Sequence, residues 1–130
     1  MVLNGNALAA PEMHKFAVIA AACLLSVPAA APSPRPAAFS VCATCHVTTQ
    51  GQKSTIGPNL FGVSDRTSGE LAGYTYSSAM KKAGLKWTPE NLTAFITAPQ
   101  MIVPGTKMAF GGLKDPEKVK EVIEYLESLK

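Results

Sequence analysis

Histidine and cysteine are scarce in this chain of 130 residues, which contains two histidines and three cysteines. A structural zinc site usually takes four such ligands. His14 and Cys23 lie in an N-terminal segment that we predict to be removed, which leaves Cys42, Cys45 and His46. Three residues cannot complete a structural zinc site, so this class of protein is excluded.

Clusters of positive charge are also absent. No run of lysine and arginine exceeds the pair Lys81-Lys82, and the net charge is only +3. Nucleic-acid-binding proteins usually show a basic patch or stripe, so the sequence argues against nucleic acid as a partner. It contains no internal repeat and no run with the alternation typical of a β-strand. We therefore predict one small all-α domain.

Long hydrophobic runs are missing as well. The longest apolar stretch, Phe16 to Val27, falls short of the ~20 residues that a spanning helix needs. It follows the basic Met13-His14-Lys15 and precedes three alanines at 29–31, as in a secretory signal. We predict residues 1–31 to be a cleaved signal peptide, with 1–12 a start-site extension, and the mature protein to be periplasmic or otherwise exported. An uncleaved N-terminal anchor is the alternative.

Proline and glycine delimit the rest of the chain. Pro32, Pro34 and Pro36 predict a disordered lead-in over residues 32–36, before a single domain over 37–130. Caps and apolar spacing predict about four short helices. These run from Pro36 to His46, from Ser77 to Ala83, from the N-cap Thr88 until Pro99 stops the helix, and from Asp115 to the chain end. Long loops fill the gaps, notably 47–75 and 97–114.

The motif Cys42-Ala43-Thr44-Cys45-His46 carries the strongest chemical signal. A C-x-x-C-H sequence is typical of c-type haem attachment. Residues i, i+3 and i+4 share one helix face, so both sulfurs can form thioethers with haem and the imidazole can ligate the iron. A thioredoxin-like dithiol or a Cys42–Cys45 disulfide is the alternative, although a polar loop follows instead of a βαβ unit. A covalent haem c would also stabilise a small domain with long loops.

A second iron ligand must come from another residue type, because the mature chain has a single histidine. Its methionines are Met80, Met101 and Met108. Core packing suffices to explain Met80 and Met101. Met108 lies on a loop between Pro104-Gly105 and Gly111-Gly112, an unusual place for a core residue, and is the candidate ligand opposite His46. Thioether ligation opposite histidine raises the potential of electron-carrying haem iron.

Further stretches occur in a recognisable order after the haem motif. They are Gly57-Pro58-Asn59-Leu60, Gly73-Tyr74-Thr75-Tyr76, Trp87, Pro104-Gly105-Thr106-Lys107-Met108 and Tyr125-Leu126. With them, the chain from Phe39 onward resembles the class I cytochromes c of the mitochondrial and bacterial c2 type. The resemblance implies the cytochrome c fold, in which short helices and long loops wrap one covalent haem.

The resemblance also implies roles for residues around the haem. Pro58 would offer its carbonyl to the ring N–H of His46, which orients the ligand. Tyr76 and Trp87 would hydrogen-bond a buried haem propionate, and Arg66 would help to neutralise it. For the two aromatic residues, ordinary core packing is the alternative.

Near the second ligand, the resemblance places Thr106 beside Met108 and Phe110 at the exposed haem edge. The chain departs from the family in three ways. Arg35 and Pro36 replace the region that often holds a helical glycine, which leaves the crossing of the first and last helices open. Phe95 stands where tyrosine is common. Lysines around the docking face are few, so we expect a weak electrostatic field there.

The function that this resemblance implies is that of a soluble, exported, monomeric electron carrier with one haem. Its partners would be membrane redox complexes that dock transiently at the haem edge, and it would be neither an enzyme nor a binder of a small-molecule substrate. The alternatives are a haem subunit fixed in a larger respiratory complex, a haem enzyme or ligand-binding protein with an open iron position, and a dithiol protein without haem.

Overall fold

The computed structural model describes Val2 and residues 31–130. The predicted signal peptide therefore lies almost entirely outside the described residues. Across 31–130, five α-helices and two short 3₁₀ segments alternate with loops, and the extended backbone pairs only in an isolated bridge between Thr67 and Lys86. The prediction of an all-α domain is confirmed. No helix in this part of the chain is long and apolar enough to span a bilayer.

The first predicted helix is shorter than expected. Pro36 is extended, Ala37–Phe39 form a 3₁₀ turn, and helix α1 comprises only Ser40–Ala43. The backbone N–H groups of Cys45 and His46 still donate to the Cys42 carbonyl, at 3.1 and 2.9 Å. The helix ends early because the β-branched run 47–49 has low helix propensity. The last turn nevertheless keeps both cysteines and the histidine on one side.

The caps of the next two helices are those that the sequence predicts. Helix α2, Ser78–Ala83, begins at Ser77, whose hydroxyl oxygen accepts from the Met80 N–H, and it ends at Gly84 with φ +60°. Helix α3, Pro89–Thr97, begins at Thr88 with proline in its first turn. Local sequence signals therefore set these ends: a hydroxyl side chain caps the N-terminus of each helix, and a glycine in the left-handed region ends α2.

The loop predicted over 97–114 contains a helix, which corrects that prediction. Pro99 ends α3 but also opens helix α4, Pro99–Ile102, because proline suits a first helical position. The chain changes direction at Ala98, so Val103 is buried while Met101 is 80% exposed. The prediction that Met101 packs in the core is therefore wrong. Its neighbour Ile102 is exposed as well.

Helix α5, Pro116–Ser128, contributes one whole face to the core. Its buried residues include Val119, Val122, Ile123, Tyr125 and Leu126, and Leu129 follows at the C-cap. The helix packs against α3 and against the first 3₁₀ turn. There the Phe39 and Tyr125 rings meet edge to face with centroids 5.0 Å apart. The first and last helical segments therefore do pack together, although α1 is short.

Candidate haem-binding site

A cavity of about 500 Å³ lies inside the domain, enclosed by helices and by both long loops. Its wall contains all ten residues to which the resemblance or the motifs assign a place at the site: Cys42, Cys45, His46, Pro58, Arg66, Tyr76, Trp87, Thr106, Met108 and Phe110. These residues come from segments more than 60 positions apart in the chain. The fold thus brings the haem motif and the methionine loop to one enclosed space of a size usual for cofactor sites.

The His46 imidazole is oriented by a backbone group. Its Nδ1 lies 2.8 Å from the carbonyl oxygen of Pro58. A carbonyl can only accept, so Nδ1 carries the proton and Nε2 keeps a lone pair for a metal. Burial lowers the pKa of His46, and this effect outweighs that of the bond to Pro58, which raises the pKa. The lowered pKa favours the neutral ring. The ring is therefore in the tautomer and charge state that iron ligation requires.

Gly57 is a site residue whose role the sequence did not reveal. A Cβ at this position would lie 2.6 Å from His46 Cε1 and 2.7 Å from Nδ1. The Gly57 N–H also donates to the Cys45 carbonyl at 2.9 Å, and this bond holds the loop backbone against the haem motif. Only a residue without a side chain allows the backbone to cross the imidazole this closely.

Asn59 closes the same loop, another role that the sequence alone did not reveal. Its amide donates to the carbonyls of Thr49 and Gln52 at 2.7 and 2.8 Å, and its Oδ1 accepts from the Phe61 N–H. An asparagine after Gly-Pro in a long polar loop is a usual sign of a side chain that bonds nearby backbone. The bonds hold the loop that presents the Pro58 carbonyl.

Arg66 brings a partly paired cation to the cavity wall. Its Nη2 donates to the Asn59 carbonyl at 2.7 Å, while Nη1 is buried without a hydrogen-bond partner. Burial lowers the pKa of Arg66, which nearby Tyr76 counteracts. A buried guanidinium with an unused N–H is stabilised by an anionic group in the cavity. This feature fits a haem with its carboxylate side chains.

The remaining wall is mostly apolar. The rings of Trp87 and Phe95 pack at a centroid distance of 5.1 Å, and Met80, Ile96 and Leu126 adjoin the same cavity. Burial raises the pKa of the Tyr76 hydroxyl, which keeps this group neutral. Such a lining suits a large flat apolar ligand. The chain thus offers apolar walls, one imidazole, the half-buried Arg66 guanidinium and two thiols to a single ligand.

The two cysteines are free thiols, so the alternative of a Cys42–Cys45 disulfide is not realised in this structure. Cys42 is half-buried, and burial raises the pKa of its thiol, whereas Cys45 is exposed. Among the described residues, no group of three or more histidine, cysteine or acidic side chains could hold a metal ion. The thiols therefore remain available for thioether bonds.

Met108 lies at the end of a tight turn. The Thr106 N–H donates to the Val103 carbonyl at 3.0 Å, and Gly105 in this turn has φ +88°. Proline followed by glycine at positive φ is typical of a type II turn. The Thr106 hydroxyl oxygen then accepts from the Met108 N–H at 3.3 Å. Met108 is half-buried and contributes to the cavity wall, with Phe110 close behind it.

Comparisons with known proteins agree with this site. The family model described as Cytochrome c matches residues 36–130. The chain is 44% identical over 95 residues to cytochrome c2 iso-2 of Magnetospirillum molischianum, covering 73% of this chain and 97% of that relative. It is 46% identical over 93 residues to cytochrome c2 of Agrobacterium tumefaciens (strain II Chrys), covering 69% and 84%.

A solved structure supports the fold in the same way. Cytochrome cH from Methylobacterium extorquens superposes with a TM-score of 0.66 at 42% identity, covering 70% of this chain and 91% of that one. Residues 36–130, which the family model matches, include the haem motif, the residues that line the cavity and the methionine loop. The chain therefore belongs to the class I c-type cytochromes, single-haem electron carriers, and binds one haem c covalently through Cys42 and Cys45.

Proposed function

We propose that this chain is a soluble, exported electron carrier whose haem iron is ligated by His46 and Met108. The observation that carries the proposal is that one cavity wall contains both side chains, with the His46 Nδ1 already bonded to Pro58. A neutral imidazole and a thioether form the axial pair of electron-carrying cytochromes c. The haem supplies a one-electron iron couple when bound.

The protein's own residues keep that couple in a fixed environment. Pro58 holds the imidazole tautomer, and Arg66 provides a cation at the cavity wall. The apolar ring pair Trp87 and Phe95 excludes water from the interior. A preorganised surrounding of this kind needs little rearrangement when the charge in the site changes by one.

The same arrangement opposes enzymatic chemistry. His46 is the sole histidine after the predicted cleavage site, so no second imidazole is available for acid–base work. With His46 and Met108 both committed to iron, no position remains open for a substrate or for oxygen. The chain is therefore a carrier rather than a peroxidase or a gas-binding protein.

Partners dock at the rim of the cavity, where six wall residues are exposed. These are Val41, Thr44, Cys45, Ile56, Lys107 and Ala109. Only Lys107 carries a charge, so steering by acidic partners is weak. The partners are membrane redox complexes that donate and accept electrons, and each encounter buries less than ~1,200 Å², as is usual for transient redox pairs.

Export rests on the amino-acid pattern alone. The basic start, the apolar stretch and the alanines before residue 32 form a signal peptide whose cleavage releases a monomeric domain. The mature protein then begins near Pro32, with both of its cysteines in the haem motif.

One spectroscopic and mass measurement tests these proposals. The mature protein purified from a host that attaches haem should show a low-spin spectrum and a far-red band of the oxidised thioether–iron pair. Its mass should equal that of residues 32–130 plus one haem. An oxidised protein that lacks this band and binds cyanide rapidly would favour an open iron position. An intact N-terminus would contradict cleavage.

An exposed apolar pair supports a second candidate, a haem subunit fixed in a larger complex. Met101 and Ile102 follow one another on α4, and they are 80% and 40% exposed. Neighbouring exposed apolar side chains are one feature of protein interfaces. Chromatography of a native extract separates the candidates, because a carrier elutes as a free monomer and a fixed subunit elutes with its complex.

A further inference from the structure

Gln100 contacts the methionine loop at three points. Its Nε2 donates to the Thr106 carbonyl at 3.1 Å and approaches the Met108 carbonyl at 3.5 Å. Its Oε1 accepts from the Gly105 N–H at 3.4 Å. One side-chain amide therefore uses both its donor and its acceptor ends on the turn that presents Met108.

We propose that Gln100 is a positioning residue that keeps the 104–108 turn closed, and thereby holds Met108 against the haem. The inference rests on the proposed ligation by Met108. Among the described residues, the hydrogen bonds of the Gln100 side chain all go to the turn, and Gln100 lies on α4, the helix that the sequence did not predict. It acts through the loop backbone rather than on the iron.

The turn needs such a contact because its internal bonds are few. The Thr106 N–H to Val103 carbonyl bond closes the turn, and the Met108 N–H is held by the Thr106 hydroxyl. The Met108 carbonyl also accepts from the Phe110 N–H at 2.9 Å, whereas the Thr106 carbonyl has Gln100 as its one protein donor among the described residues. Gln100 supplies that N–H from an element anchored in the core through the buried Pro99 and Val103.

The distances also indicate that the donor end of the Gln100 side-chain amide holds the turn more strongly than its acceptor end does. The shortest of the three bonds is the donor bond to Thr106, and both donor bonds come from Nε2. A carboxylate at this place keeps the size of the side chain and an acceptor for Gly105. It removes both donors and puts negative charge beside two carbonyl oxygens. Gln100→Glu therefore opens the turn at least as much as Gln100→Ala.

The test measures how easily the turn opens in the oxidised holoprotein. Cyanide competes for the iron only when Met108 leaves it, so its binding rate reports opening. We expect Gln100→Ala and Gln100→Glu to bind cyanide about three- to tenfold faster, the effect of losing about one net hydrogen bond. Amide exchange of Met108, which reports opening without any added ligand of the iron, should accelerate by a similar factor.

Gln50→Ala is the matched control, because Gln50 is an exposed loop glutamine on a different segment. It should leave both rates unchanged. Unchanged rates in the Gln100 variants would overturn the proposal, and so would a rise explained by an equal loss of global stability. A wild-type protein without the far-red band would instead refute Met108 ligation itself, and Met108 amide exchange would still test the contact between Gln100 and the turn.

Discussion

The backbone of Gly57 crosses the imidazole of His46 so closely that a Cβ there would stand 2.6 Å from the ring. This approach lets the next residue, Pro58, present its carbonyl to Nδ1 at 2.8 Å. The tautomer of the haem-motif histidine therefore depends on the absence of a side chain at the preceding position. A loop residue thereby decides which nitrogen faces the cavity.

Gly57→Ala should displace the imidazole and weaken the site. We expect less haem attached per polypeptide and a loss of about 1–3 kcal/mol in the unfolding free energy of the loaded protein, as for overpacked sites. Haem-to-protein absorbance and denaturant unfolding measure both. Gly111→Ala is the control, because a Cβ at Gly111 meets nothing within 4 Å and its φ is not positive. Equal effects of the two substitutions would contradict the steric account.

Met108→Leu should remove the thioether while keeping an apolar side chain of similar volume. The far-red band should vanish, cyanide should bind rapidly, and the reduction potential should fall by about 100 mV or more, since axial ligands set haem potentials over about 0.8 V. Spectroelectrochemistry checks all three effects. Met101→Leu, at an 80% exposed methionine, should change none of them. A variant at Met108 that keeps the band would refute its assignment.

Arg66→Gln should lower the reduction potential, because a cation in the cavity wall favours the reduced site, which is less positive. We expect a shift of up to about 60 mV, equivalent to about 1.4 kcal/mol for one electron. The exposed Arg35 provides the control, since Arg35→Gln changes the net charge equally without touching the cavity. The same shift in both variants would indicate a net-charge effect instead of a local one.

The N-cap of α3 leads to a pH-dependent prediction. The Thr88 hydroxyl oxygen accepts from the Asn91 N–H at 3.3 Å, so Thr88→Ala should cost about 1 kcal/mol. The pKa of exposed Glu90 lies below its usual 4.5, first because its own backbone N–H donates to the carboxylate and then because Thr88 does.

A lowered carboxyl pKa stabilises the fold at pH above the ordinary value and loses this effect as pH falls through the lowered one. The stability difference between Thr88→Ala and wild type should therefore be larger at neutral pH than well below pH 4.5. Urea unfolding across this range measures it. Thr93→Ala, on the exposed middle of the same helix, should cost nothing at either pH. A difference independent of pH would contradict the coupling to Glu90.

The proposed docking at a rim with a single charged residue predicts a shallow dependence on salt. Rate constants for electron exchange with small anionic and cationic complexes should differ little and change little with ionic strength. Lys107→Gln should flatten the dependence further, because Lys107 is the charged rim residue. Lys82→Gln, on α2 outside the cavity wall, should have a smaller effect. Stopped-flow kinetics decides this, and a steep dependence in the wild type would refute the weak-field account.

The sequence by itself determined the features that depend on near neighbours. The spacing of Cys42, Cys45 and His46 places them on one helical turn, whatever the rest of the chain does. The caps at Ser77, Thr88 and Asp115 begin helices because each side-chain oxygen bonds backbone N–H groups two or three residues ahead. Such signals are local, so they can be identified without knowing the fold.

Tertiary structure alone decided the contacts between distant segments. The path of the chain sets Gly57 against His46, leaves Arg66 Nη1 unpaired in the cavity wall, and turns Met101 outward. It also places Gln100 under the turn of Met108, on a helix that looked like a loop with a proline stop. Each of these outcomes depends on how the long loops pack, and local propensity does not contain that information because it reaches only a few residues along the chain.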